Sequence, residues 1–103
     1  MSLSLHQDSQ TSSLRLEGRF MFEAHTHFRN ATQNLLDATT ARQITLELSG
    51  LSYMDSSALG MLLLLREKAE AKDIKVVLAN PSPAVMEILK IVQFGKLFDI
   101  REG

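Results

Sequence analysis

Residues 44–66, ITLELSGLSYMDSSALGMLLLLR, decide how the rest of the chain is read. In the first half Ile44, Leu46 and Leu48 alternate with Thr45, Glu47 and Ser49, the period-two pattern of a strand with one buried face. In the second half Ala58 to Leu65 is a run of good helix formers broken only by Gly60. It flows into Arg66-Glu67-Lys68-Ala69-Glu70-Ala71, a helical composition. Asp55-Ser56-Ser57 falls between the two, where a helix must begin. Asp or Ser at such a place accepts hydrogen bonds from the unpaired amides of the first turn. The stretch therefore predicts a strand, a short loop and a helix, with two serine hydroxyls at the helix N-terminus. That end of a helix carries free N–H donors and partial positive charge, so it accommodates an added phosphate.

Upstream, Leu3 and Leu5 alternate with Ser2, Ser4 and His6, and Leu14 and Leu16 with Ser13, Arg15 and Glu17. The polar stretch Gln7–Ser12 joins them, so an antiparallel hairpin is the reading. Phe20 and Phe22 share one side of an extended segment and read as core plugs, with exposed anchors for a partner the alternative. Ala24, Phe28, Ala31 and Leu35 recur at helical spacing and predict a helix to about Asp37.

Downstream of the deciding stretch, IKVVLAN (Ile74–Asn80) is an apolar run suited to a strand covered on both faces or to a central one. Asn80-Pro81-Ser82-Pro83 ends it and starts another helix, with Ser82 as N-cap and Pro83 in the first turn. Val85, Ile88, Leu89 and Val92 make the predicted buried stripe of that helix. Leu97–Ile100 reads as a last short strand. Strand alternates with helix from Leu14 onward, which implies right-handed βαβ crossovers. The fold class is α/β: a single domain over 1–103, with a mixed, mostly parallel sheet of about five strands and about three helices.

The helix after Ser56 is apolar around much of its circumference. At about 100° per residue, Leu59, Leu62, Leu63 and Arg66 cluster on one side, with Met61, Leu64 and Leu65 partly or wholly elsewhere. Either flanking helices cover the remainder, or Met61 and Leu64 form an exposed apolar docking patch, a role that suits the adaptable thioether. Gly60, one turn after Ser56, permits close approach of either the sheet or a partner.

Composition excludes several classes. A formal net charge of −1 with no basic stripe leaves no footprint for nucleic acid. Without cysteine there is no disulfide, thiol nucleophile or thiolate metal site. His25 and His27, two residues apart, do not share a helix face and have no companion ligand motif, so neither a metal nor another cofactor is expected. The longest apolar run is far too short to enter a bilayer as a span, and the first residues lack the pattern of a signal peptide, so a cytoplasmic chain without direct membrane insertion is expected. A hydrolase elbow at Ser56 is not supported: GxSxG is absent and no histidine follows the serine. A receiver-type phosphoacceptor at Asp55 lacks an acidic cluster to hold magnesium. An enzyme is not expected.

DSSALG, after a strand and before an apolar helix, resembles the signature of STAS domains, the anti-sigma factor antagonist family, whose pattern is Asp-Ser-Ser/Thr-Gly-Leu-Gly. Ala58 stands where glycine is commonest. The resemblance extends to the Ser-Pro helix start at Ser82-Pro83 and to the closing Gly95-Lys96-Leu97-Phe98. It departs at Met21, where the family usually has an aspartate beside the phosphorylation site; Glu23, two residues on, is the candidate to take that role. The resemblance implies that Ser56 is a regulatory phosphorylation site supported by Asp55, Ser57 and Gly60, with Met61, Leu64 and Glu23 as candidate partner contacts. It further implies an anti-sigma factor or equivalent partner, a serine kinase of the anti-sigma type using ATP and magnesium, and a PP2C-type phosphatase. An alternative within the same fold is the STAS subunit of a membrane transporter, such as a lipid-transport ATPase. Asp55 is read as the helix cap, with orientation of the serine hydroxyl the alternative.

Overall fold

Alternating apolar residues pair the first two strands of the computed structural model, which describes residues 3–102. Strand β1 (Leu3–Asp8) lies antiparallel to β2 (Ser13–Phe20), with Leu5 opposite Leu16. The segment Ser2, read with the first strand, lies outside the described residues. A single 3-10 turn (Phe22–Ala24) leads into α1 (His25–Ala38), then β3 (Gln43–Met54), α2 (Ser56–Glu70), β4 (Lys75–Ala79), α3 (Pro83–Ile91), a second 3-10 turn (Phe94–Lys96) and β5 (Asp99–Arg101). The five strands stand in the order β1-β2-β3-β4-β5, and every pairing after the first is parallel. The mixed sheet and its three helices match the sequence expectation.

Leu14, Leu16, Ile44, Leu46, Leu48, Val76 and Leu78 point to one face of the sheet. There they form a single core with Phe28 and Leu35 of α1, Leu62 and Leu65 of α2, and Val85 and Leu89 of α3. The other face carries polar and charged side chains that pair across strands, His6 with Glu17 at 3.0 Å and Lys75 with Asp99 at 3.1 Å. Val77 is buried on that side, outside the main core cluster. Of the two readings of β4, the central one holds: it lies between β3 and β5, with helices on one face only. Ser82 caps α3 through its Oγ, which accepts from the Val85 amide at 3.4 Å, and Pro83 opens that helix.

Four expectations need correction. The first concerns the short loop expected before Asp55. The strand β3 runs on to Met54, and only Asp55 separates it from α2. Two register shifts between β2 and β3 change the buried spacing, so that Ile44, Leu46 and Leu48 are followed by Leu51 and Met54. Gly50 sits at the first shift, where a Cβ would come within 2.8 Å of Glu17 Cγ and 3.1 Å of the Leu16 carbonyl oxygen. A bulge locally breaks period-two alternation, and this strand end therefore reads as a loop.

Second, Phe20 is fully buried but Phe22 is 65% exposed. The strand ends at Phe20 and the chain enters a 3-10 turn, so the alternation that would have put both rings on one side does not continue. Third, α2 is rotated from the predicted phase. Ala58, Met61, Leu62, Leu65 and Ala69 face the core, while Leu63 is 37% and Leu64 44% exposed. Met61, offered as an exposed docking residue, is thus a core residue, and Leu63, offered as core, is not. Only the phase seen here keeps Arg66, Glu67, Lys68 and Glu70 all off the buried stripe. Fourth, Val92 lies beyond the end of α3 and is 39% exposed, while Val85 and Leu89 carry the burial of that helix.

Candidate functional site

Asp55 is the junction of the site. Its backbone is extended (φ −95°, ψ 179°), and its Oδ1 accepts from the Ala58 amide at 2.8 Å, the N-cap bond of α2. Its Oδ2 accepts from the Phe22 amide at 3.1 Å, and its own amide donates to the Phe20 carbonyl at 3.2 Å. One side chain thus fastens the end of β2 to the start of α2. Capping is the role the structure gives Asp55, since both carboxylate oxygens accept from backbone donors.

Ser56 is the first residue of α2 and is exposed; Ser57 is half-buried. The amides of Ser56 and Ser57 belong to the first turn, where no intrahelical carbonyl is available to accept from them. An anion on the Ser56 hydroxyl would stand at the positive end of a helix of 15 residues. Exposed aromatic rings stand on the two segments that Asp55 adjoins, Phe22 after β2 and Tyr53 near the end of β3. Phe22 stacks on His25 with ring centroids 6.2 Å apart, and the Arg19 guanidinium lies 5.6 Å from the centroid of the Tyr53 ring, which is 41% exposed.

Met21 occupies an extended position just before the 3-10 turn and is half-buried, and Glu23 is exposed within that turn. Glu23 therefore lies on the segment that Asp55 holds in place. Gly60 is exposed, and a Cβ built there meets nothing within 4 Å. Close packing of helix on sheet is therefore not what Gly60 serves. Leu64 is on the open side of α2, as the docking-patch alternative has it. Tyr53 is a surface residue that the sequence reading did not pick out, whereas Phe22, read as a core plug with an exposed anchor as the alternative, takes the exposed position.

A broad depression of about 550 Å³ lies away from this site, lined by Arg42, Arg66, Glu70, Lys75, Leu97 and Asp99 among others. Its charges largely satisfy one another, Arg66 with Glu70 at 2.8 Å and Lys75 with Asp99 at 3.1 Å, so it offers no chemistry comparable with the exposed serine. Among the described residues no group of three or more His, Cys, Asp or Glu side chains is placed to hold a metal ion, and no helix is long and apolar enough to cross a membrane.

A family model described as the STAS domain matches residues 2–103. A STAS-domain containing protein of Pseudomonas aeruginosa (strain UCBPP-PA14) is 45% identical over 93 residues, covering 90% of each chain. An anti-sigma F factor antagonist of Lysinibacillus sphaericus is 30% identical over 86 residues, covering 84% of this chain and 74% of that one. Among solved structures, the anti-sigma factor antagonist SpoIIAA in its unphosphorylated form superposes with a TM-score of 0.69 at 24% identity, over 95% of this chain and 86% of its own. The phosphorylated form of SpoIIAA, described as a Bacillus cell fate determinant, gives a TM-score of 0.69 at 20% identity, over 98% and 90%. These two likenesses are likenesses of fold.

Proposed function

Because this chain belongs to the STAS domain family, we propose that it is an anti-sigma factor antagonist, a regulator without turnover of its own whose partner binding is switched by phosphorylation of Ser56. The observation that carries this reading is the position of the Ser56 hydroxyl. It is exposed at the first residue of α2, directly after a capping aspartate whose two oxygens are already engaged. A kinase can reach it, and the adjacent Ser57 is less accessible.

The physics of the switch follows from that position. A phosphate adds about −1.5 to −2 charges, which the free amides and dipole of the helix start accommodate, so the domain stays folded. A partner that covers Phe22, Tyr53 and the first turns of α2 meets no such compensation. It must desolvate a doubly charged group against apolar rings, and it is released. On this reading an anti-sigma factor or equivalent regulator binds the unmodified form. A serine kinase of the anti-sigma type, using ATP and magnesium, adds the phosphate, and a PP2C-type phosphatase removes it. Glu23 and Leu64 are proposed as partner contacts at the two sides of the site.

Intact-mass measurement and peptide mapping of the protein isolated from its own cell tests the assignment, followed by labelling of variants with ATP in an extract of that cell. Wild type and Ser57→Ala take up one phosphate, and Ser56→Ala takes up none while keeping its affinity for the partner. Ser56→Asp weakens partner binding, incompletely, since one carboxylate carries less charge than phosphate. Stoichiometric labelling of Ser56→Ala overturns the site; equal partner affinity of modified and unmodified protein overturns the switch.

A further inference from the structure

Helices α1 and α2 each follow a strand of the parallel part of the sheet and lie side by side on its covered face. Between them runs a shallow groove lined by His25, Phe28, Arg29 and Thr32 from α1 and by Met61, Leu64, Leu65 and Lys68 from α2. Both sets are spaced i, i+3, i+4, i+7, so the two helices present matching ridges along about two turns. The floor is mostly apolar: Phe28 is 2% exposed, Leu65 3% and Met61 9%, the buried Thr32 hydroxyl is turned to the Phe28 carbonyl, and Leu64 stands 44% exposed.

The rim is cationic. Arg29 and Lys68 have no ion pair among the described residues, His25 lies on the same side, and no carboxylate lines the groove. A partly exposed leucine flanked by unpaired cations, in a straight groove between two helices, is complementary to one kind of surface. We propose that this groove binds an amphipathic partner helix whose apolar ridge packs on Leu64 and whose flanking Asp or Glu side chains pair with Arg29 and Lys68. Size argues in the same direction. The groove encloses only about 20 Å³, against the ~300 Å³ or more of a site that swallows a small molecule.

The groove also lies close to Ser56. His25, at one end of the groove, stacks on Phe22, whose amide donates to the Asp55 cap beside Ser56, and Met61 is five residues along α2 from Ser56, about 7.5 Å down the axis. An acidic helix seated in the groove and extending toward the start of α2 would meet a phosphate there with like charge. This coupling rests on the phosphorylation reading above; the groove itself does not.

The test uses the full chain, labelled with ¹⁵N, and two synthetic helical peptides of about 15 residues. Both carry leucines at i, i+3, i+4 and i+7; one has glutamate and the other lysine on the flanks. The glutamate peptide is expected to shift amides within 25–32 and 61–68 and the lysine peptide to leave them in place. Reversing the rim with Arg29→Glu, at an exposed position, and Lys68→Glu, at a half-buried one, should weaken the glutamate peptide by about tenfold or more and give the lysine peptide the binding. An unchanged melting curve for the double variant establishes that its fold is kept. Equal binding of both peptides, shifts elsewhere, or no shifts overturn the proposal. So do shifts of these amides with protein concentration alone, which mark a second copy as the occupant, and shifts produced only by phosphatidylglycerol vesicles, which mark a membrane. Repeating the titration with Ser56→Asp separates the two readings. Undiminished peptide binding there leaves the groove standing and removes its link to Ser56, whereas loss of peptide binding in the rim variant alone says nothing against phosphorylation.

Discussion

At the scale of single residues, Asp55 holds two elements with one carboxylate, and its substitutions separate the two bonds. Asp55→Ala removes the N-cap bond to Ala58 and the acceptor for the Phe22 amide together. It should lower stability by about 1–2 kcal/mol in urea denaturation. Asp55→Asn keeps a capping oxygen, since Asn caps about as well as Asp, but turns an NH2 group toward the Phe22 N–H and loses that bond. Its cost should fall between wild type and alanine; an Asn variant as stable as wild type means that the bond to Phe22 contributes nothing. Gly60 makes a complementary case. With open space where its Cβ would be, Gly60→Ala should stabilise the helix by roughly 0.5–1 kcal/mol. If a partner approaches its backbone, the same change weakens partner binding, so a urea midpoint and a partner titration moving in opposite directions would show that glycine is kept there for contact. The cap was legible in the sequence because a cap is local: Asp followed by a run of helix formers. The bond from Phe22 to Asp55 was not, because its partners are 33 residues apart and nothing at either position advertises the other.

At the scale of elements, α2 shows where a hydrophobic pattern fails to specify. Seven of its residues from Ala58 to Leu65 are apolar, so the run is consistent with almost any rotation. The phase is fixed by its charged second half and by alanine. Ala58 and Ala69, each fully buried, let the helix approach the sheet closely at both ends. The resulting stripe predicts a graded series. Leu62→Ala, at a fully buried position, should cost about 2–5 kcal/mol, and Met61→Ala, at the edge of the core, about 2 kcal/mol. Leu63→Ala and Leu64→Ala should each cost less than about 1 kcal/mol, since both sides of the helix they occupy already see water. Urea midpoints of the four variants check this ordering, and a Leu63 variant as damaged as the Leu62 variant would refute the phase. The strand β3 fails to be legible for a different reason. Its two register shifts against β2 stretch the buried spacing past Leu48; the first is marked only by Gly50 and the second only by Gly18 of the partner strand, at φ 102°, and a lone glycine in a strand does not say how far the register moves.

At the scale of the whole molecule, the topology was the most legible feature. It depends only on the order of period-two and helical segments and on the handedness of the crossovers between parallel strands. What the order of segments does not convey is how the outer connections are pinned, and here two aspartates act as latches. Asp37, near the end of α1, accepts from Lys72 Nζ at 2.9 Å, just beyond α2, and from Gln33 at 3.0 Å. Asp99, on the edge strand β5, accepts from Arg101 at 2.7 Å and pairs with Lys75 of β4 at 3.1 Å. Hydrogen bonding from Lys72 foremost, then Gln33, holds the Asp37 carboxyl below its ordinary value; Arg101 foremost, then Lys75, does the same for Asp99. A carboxyl whose folded-state pKa is depressed binds its proton more readily in the unfolded chain. Its stabilisation is fully present above the unfolded value, near 4, and disappears as pH falls through the lower folded value. Asp37 is exposed and Asp99 half-buried at the sheet edge, so the contribution of each is small and is screened by salt. The urea midpoint should therefore fall as the pH drops below about 5, and the fall should shrink in the Asp37→Asn, Asp99→Asn double variant, which cannot lose pairs it lacks. A double variant with the wild-type acid dependence would place the titrating groups elsewhere in the molecule, and would leave α1 and β5 held by their buried faces alone.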